Sequence, residues 1–279
     1  MNFRTSVLSV LLAILLIVTA GCSAQSSSGS SSKQSKKDIT LGFNPGPYQE
    51  EFEKGVAPYL KKKGYKIHYK NFTDGVQVNV AVAQGAIDAN VMQHPVFMES
   101  VNKQEGLHNT GIVQVPTPPM GLYSGKTKTT SIRKGAVVAV PNQASNMYRA
   151  LVVLQDLGWV KLRKGTDPST ASLKDVVENK HQLNLKPMDN AQEARALKDV
   201  DYAVIQGNFA VSSGMKLSSA LQLEKMTNRF TNVVTVDEKN KNAQWAKDIV
   251  SGYHTQEFKH YIKSHAEYDG YHLPSYFNN

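Results

Sequence analysis

Three side chains of unlike chemistry crowd one short stretch, residues 85–97: the thioether of Met92, the imidazole of His94 and the ring of Phe97. Gly85 reads as the end of a short helix, the residues up to about Val91 as a strand, and Pro95 as the opening of another helix. The three therefore stand where a strand gives way to a helix. In open α/β sheets, ligands bind beyond the carboxyl ends of strands. A polarizable sulfur, a base and an aromatic face at that place suit a small, partly apolar solute. The same residues also serve as plain core, with His94 satisfied at a helix start.

A second group surrounds the helix that follows the turn Pro141-Asn142-Gln143-Ala144-Ser145-Asn146. Met147, Leu151 and Leu154 fall on one stripe of it, and Gly158 stops it. Arg149 lies about 200° around the helix from Met147, at ~100° per residue, so it points away from that core. An arginine near a helix N-terminus gains nothing from the helix dipole. A bound carboxylate reverses this, because it meets backbone N–H groups and a bidentate guanidinium together. A solvated surface arginine is the alternative. Further on, Gln206-Gly207-Asn208 sits at the carboxyl end of the apolar strand Tyr202-Ala203-Val204-Ile205. Amides donate and accept, which fits an ammonium–carboxylate ligand; a turn with Asn208 as a cap fits as well.

The elements that must position these groups alternate. Residues 38–43 and 66–72 read as strands, and a helix is expected from Pro47 to about Lys63. Thr73 or Asp74 caps a helix over residues 76–84. After the stiff Val115-Pro116-Thr117-Pro118-Pro119, residues 120–124 form a short apolar segment. Strands are then expected over residues 136–140, 183–187, 202–205 and 231–236. Helices are expected over residues 173–177, 191–197, 243–253 and 256–264. Strand–helix alternation of this kind argues for a doubly wound α/β architecture. With crossings near Tyr123 and Val234 it makes two lobes joined by two crossover strands: residues 38–123 plus 235–279, and residues 124–234.

The start of the chain is of another kind. A basic Met1-Asn2-Phe3-Arg4, an apolar run from Val7 to Val18 and Thr19-Ala20-Gly21-Cys22 read as a secretory signal over residues 1–21. The junction resembles a bacterial lipobox, with Thr19 a less usual residue there. Cys22 is the one cysteine of the chain, so no internal disulfide exists, and lipidation accounts for the leftover thiol. The Ser-rich residues 22–37 behave as a flexible tether. The net charge of +9 comes without any basic run interleaved with aromatics, so nucleic acid is not an expected partner. Anionic lipids or wall polymers are.

Taken together these stretches resemble the NlpA/MetQ family of substrate-binding lipoproteins. The resemblance rests on Gly46-Pro47, residues 74–79, 85–90 with Gln93-His94, 120–124, 140–146 and 149–151, then 203–205 with Gly207-Asn208, and 231–233. It implies a type II periplasmic-binding-protein fold, a methionine-type or short-peptide ligand and no cofactor. It also implies delivery to the membrane and ATPase subunits of an ATP-binding cassette importer. Residue by residue, Arg149 matches the carboxylate holder, Asn232 an amide at the amino-acid head group and His94 the pocket histidine. Asn146 lies in the matching helix-start loop, and Cys22 matches the lipidated cysteine that anchors the protein to the membrane, facing outside the cytoplasm. Four positions depart: Gly75 stands for a tyrosine, Met92 for a phenylalanine, Phe97 for a tyrosine and Gln206 for an asparagine. The head-group clamp is mostly kept while the side-chain wall changes, with more room expected at Gly75.

Two other classes of function have weaker support, and adhesion through the basic surface stays open as a second activity. A metal receptor would draw on His254, His260, His265 and His272, none spaced by three or four residues. An enzyme would need more than the distant pair Asp74 and Asp88; Cys22 leads the tether, and the chain has no Gly-x-Ser-x-Gly elbow.

Overall fold

The computed structural model describes residues 36–278. The signal segment, Cys22 and most of the tether lie outside the described residues.

Alternating apolar residues make β1 (Asp38–Phe43) a core strand, with Ile39, Leu41 and Phe43 buried. Directly after Pro47 come α1 (Tyr48–Glu51), a π-helical turn (Phe52–Val56) and α2 (Ala57–Lys62). The helix expected from Pro47 is thus present with one widened turn. Gly55 in that turn lets the ring of Phe258 pack on the backbone, where a Cβ would lie 2.6 Å from it. Next are β2 (Lys66–Asn71), α3 (Gly75–Ala83), β3 (Ala89–Gln93), α4 (Pro95–Glu105) and β4 (Asn109–Gln114). Asp74 caps α3 by accepting from Val76 N and Gln77 N at 2.7 and 2.8 Å. β5 (Gly121–Tyr123), β6 (Val137–Pro141), α5 (Ala144–Asp156), β7 (Lys161–Leu162), β8 (Val176–Glu178) and β9 (Asn184–Met188) follow. The chain closes with α6 (Glu193–Ala196), β10 (Tyr202–Ile205), α7 (Gly207–Ser212), β11 (Gln222–Leu223), β12 (Val233–Asp237), α8 (Gln244–Tyr253) and α9 (Gln256–Ser264).

These strands form two five-stranded sheets. The first runs β2-β1-β3-β12-β4, with β1 parallel to β2 and β3, and β12 antiparallel to its neighbours. The second runs β11-β5-β10-β6-β9, with β6 parallel to β9 and β10. Each sheet has its own core. Trp245, Ile249 and Phe258 belong to the first; Met147, Leu151, Leu154 and Trp159 belong to the second.

The sheets shift the lobe boundaries. Tyr123 was the expected crossing, yet β5 pairs with Ala203–Ile205 in the second sheet. The chain leaves the first sheet after Gln114 and returns at Val233. The change of composition at Gly125 marks the end of β5 rather than the crossing. Residues 173–177, expected as a helix, divide into a 3-10 turn (Leu173–Asp175) and β8. β4 has no counterpart in the sequence reading, because its polar Asn109-Thr110-Gly111 start hides the alternation.

The two crossing segments are laced together. Val115 N donates to Asn232 O (2.9 Å), Asn232 N to Thr117 Oγ1 (2.9 Å) and Glu224 N to Met120 O (2.8 Å). The C-terminal segment joins them through Thr117 and His272, which exchange two backbone bonds of 3.0 and 2.9 Å.

Candidate functional site

In each sheet the parallel strands end toward one cavity. Asn44 follows β1, Thr73 follows β2 by two residues, and Met92 to His94 end β3. From the other sheet, Asn142 follows β6, Asp189 follows β9 and Gln206 follows β10. The crossing segments contribute Thr117, Pro118 and Asn232. The cavity measures about 240 Å³, below the ~300–1,000 Å³ of drug-sized pockets, so it fits a solute of amino-acid scale. All seven residues singled out for ligand contact line it: Met92, His94, Phe97, Asn146, Arg149, Gln206 and Asn232.

His94 links the two sheets. It precedes α4, and its Nδ1 accepts from Phe97 N at 3.2 Å, so that nitrogen carries no proton. Its Nε2 must then hold the proton, which it donates to Asn146 Oδ1 on α5 at 3.2 Å. The ring is fully buried, and burial first, then the Arg149 charge, lower its pKa to about 3. The folded value lies below the ordinary 6.5, so the unfolded chain binds the extra proton. Stability rises with pH between about 3 and 6.5, is complete above that window and is lost as pH falls through it. We expect His94→Asn, which keeps a cap acceptor but cannot be protonated, to flatten the loss of stability between pH 6.5 and 4.5. The difference should be on the order of a few kcal/mol. Parallel pH profiles in urea melts for the two proteins would refute it.

Arg149 does turn away from the stripe of Met147, and it enters the cavity wall rather than bulk water. Its side chain is 4% exposed and is already paired: Nε and Nη2 donate to Glu224 Oε1 and Oε2 at 2.8 and 2.6 Å. Nη1 donates to Asn146 Oδ1 at 3.1 Å. Glu224, 5% exposed, also accepts from Met120 N at 3.2 Å, which ties the arginine to the first crossing. Phe230 backs the group. Its ring lies 5.6 Å from the guanidinium carbon, 5.3 Å edge-on to His94, and is stacked on Tyr148.

Met92 and Phe97 meet over Gly75. A Cβ on Gly75 would stand 2.9 Å from Met92 Cε and 3.0 Å from Phe97 Cζ. The space left by the missing side chain is therefore taken up by these two, and the wall there is apolar and adaptable rather than open. Behind it, Gln93 is clasped by Asn79, Asn90 and Thr235 in a buried amide network, which fixes the end of β3. Elsewhere in the lining, Asn44 Oδ1, Asn190 Oδ1 and Gln206 Oε1 are buried without a partner among the described residues.

Glu224, Phe230, Tyr48 and Asn44 were not anticipated. The chain has 23 acidic residues, and nothing in spacing singles out Glu224 as the partner of an arginine on another element. The histidines near the end are engaged locally: His254 against Tyr276, His265 against Tyr261 and His272 in the bridge to Thr117. Among the described residues no group of three or more metal-ligating side chains gathers. Asp74 is used as a cap, and Asp88 holds Thr40 N at 2.9 Å and pairs with Lys36.

A cavity shared by the strand ends of two sheets, above two chain crossings, is the architecture of the type II periplasmic-binding proteins. The chain belongs to the NlpA lipoprotein family, whose model matches residues 39–276. It is 32% identical over 247 residues to a protein of Pasteurella multocida named probable D-methionine-binding lipoprotein MetQ, covering 86% of this chain and 88% of that one. Among solved structures, a nutrient-binding protein from Burkholderia cenocepacia bound to methionine superimposes with a TM-score of 0.76 at 35% identity, over 81% of this chain and 95% of that one. The substrate-binding protein of a methionine transporter from Streptococcus pneumoniae gives 0.76 at 28% identity, over 84% and 94%. No described helix is long and apolar enough to cross a membrane.

Proposed function

We propose that this chain is the solute receptor of an ATP-binding cassette importer for methionine or a methionine-containing short peptide, anchored by an acylated Cys22 and facing outside the cytoplasm. It binds its solute and does not transform it. The observation that carries the reading is the cavity itself. One wall holds a guanidinium with one N–H unpaired and another held only by the sulfur of Met226, another holds amide oxygens, and the third is the Met92–Phe97 contact over Gly75. The ligand carboxylate sits at the free side of Arg149. Gln206 and Asn232 take the ammonium, and the side chain packs on Met92, Phe97 and the edge of His94. The segments that cross between the sheets are the place where hinge motion opens and closes the site.

A thermal-melting panel on the full chain in detergent tests this. L-methionine, D-methionine, methionyl dipeptides, leucine and zinc are offered separately. A ligand present at 100 times its Kd stabilises by about 2.7 kcal/mol. For a domain of this size that is a rise of about 5–10 °C. Methionine or a methionyl dipeptide should give it. A rise with zinc and none with any amino acid or peptide would overturn the reading and favour a metal receptor.

A further inference from the structure

We infer that Glu224 is a specificity-determining residue: it makes the site take zwitterions and refuse simple carboxylates. This rests on the proposed amino-acid ligand and adds the charge rule for it. Of the five N–H groups of a guanidinium, Arg149 gives three to Glu224 and Asn146 and a fourth, on Nη2, to Met226 Sδ at 3.9 Å. One, on Nη1, remains to meet a ligand carboxylate, and the weak sulfur contact can yield a second, so the arginine still orients the ligand. It does not supply net positive charge, because Glu224 cancels it within the same buried pair. His94, the other basic group of the cavity, is neutral, because its buried Nδ1 accepts from Phe97 N and so carries no proton. The remaining ionisable groups of the lining are Tyr48 and the carboxyl groups of Asp74 and Asp189, both of which cap helix starts. An incoming anion therefore finds donors and no uncompensated cation.

A carboxylate buried without a counter-charge is costly. The ligand must bring its own positive charge, and the wall has somewhere to put it. Asn44 Oδ1, Asn190 Oδ1 and Gln206 Oε1 are acceptors buried without a partner among the described residues. A lone arginine in place of the pair would bind deaminated acids nearly as well as amino acids. The pair separates them by charge, independently of how the side-chain wall selects for shape.

Calorimetry on the full chain in detergent decides this with three probes: methionine, its deaminated analogue 4-(methylthio)butanoate, and methioninol, which keeps the amine and lacks the carboxylate. On the unaltered protein, methionine should bind at least a hundredfold more tightly than the deaminated acid, and methioninol should lose less than the acid does. In Glu224→Gln, the gap between methionine and the deaminated acid should shrink at least tenfold. A deaminated acid within tenfold of methionine on the unaltered protein overturns the inference, as does an unchanged gap in Glu224→Gln. If that variant does not fold, the ranking of the three probes on the unaltered protein still decides, and methioninol weaker than the acid refutes it. Absence of binding by methionine, with binding of some other solute, removes the methionine reading itself.

Discussion

Arg149→Met is expected to lower ligand affinity by far more than tenfold and, separately, to destabilise the folded chain by about 3–5 kcal/mol. The first effect is loss of the carboxylate's partner, for which truncation at a buried charged contact costs about 2–5 kcal/mol. The second arises because Glu224, 5% exposed, is left as an uncompensated buried carboxylate. A domain with ~5–15 kcal/mol of total stability feels a loss of that size strongly. The two effects separate in the double variant Arg149→Met with Glu224→Leu. Replacing a buried ion pair by apolar groups is often neutral, so stability should largely return while binding does not. Denaturant titration and calorimetry read the two quantities. A single variant as stable as the parent would show that Glu224 is not held by this pair, and retained affinity would remove Arg149 from the ligand.

Gly207→Ala is expected to cost about 1–3 kcal/mol or more and to weaken the site at the same time. Gly207 opens α7 at the end of β10 and rests against the first crossing segment. A Cβ there would stand 2.3 Å from Pro118 O and 2.5 Å from its carbonyl carbon. These are backbone atoms, so no side-chain rotation relieves the clash. Overpacking of this kind costs about 1–3 kcal/mol, occasionally more. The displaced groups, Pro118 and the neighbouring Gln206, both line the cavity. A melting temperature and a ligand affinity equal to those of the parent would contradict this close approach.

Much of this arrangement was legible before any coordinates. Periodic residues placed α3, α5, β1, β6 and β10 within a residue or two, because each has a buried stripe bounded by Pro, Gly or a capping side chain. The seven ligand-site residues converge on one cavity because strand ends and helix starts are where a parallel sheet must leave room. What stayed hidden depends on contacts distant in sequence. Glu224 is one acid among many until the fold brings it to Arg149. The position of the crossing is set by the pairing of β5 with β10, and no local signal reports it. Gly75 looked like an enlargement of the pocket, and only the packing of Met92 and Phe97 shows that the space is filled.

The bond pair between Thr117 and His272 bears on the order of assembly. Thr117 belongs to the first crossing, its hydroxyl receives Asn232 N from the second, and its backbone clasps His272, beyond α9. Contacts so remote in sequence form only after a long loop has been closed, which slows them relative to local structure. The second sheet is built from one continuous stretch and can mature early. The first sheet lacks β12 until that stretch is complete, and the knot at Thr117 waits for the segment that follows α9. A polypeptide emerging N-terminus first would thus acquire its waist last, after both halves that it joins.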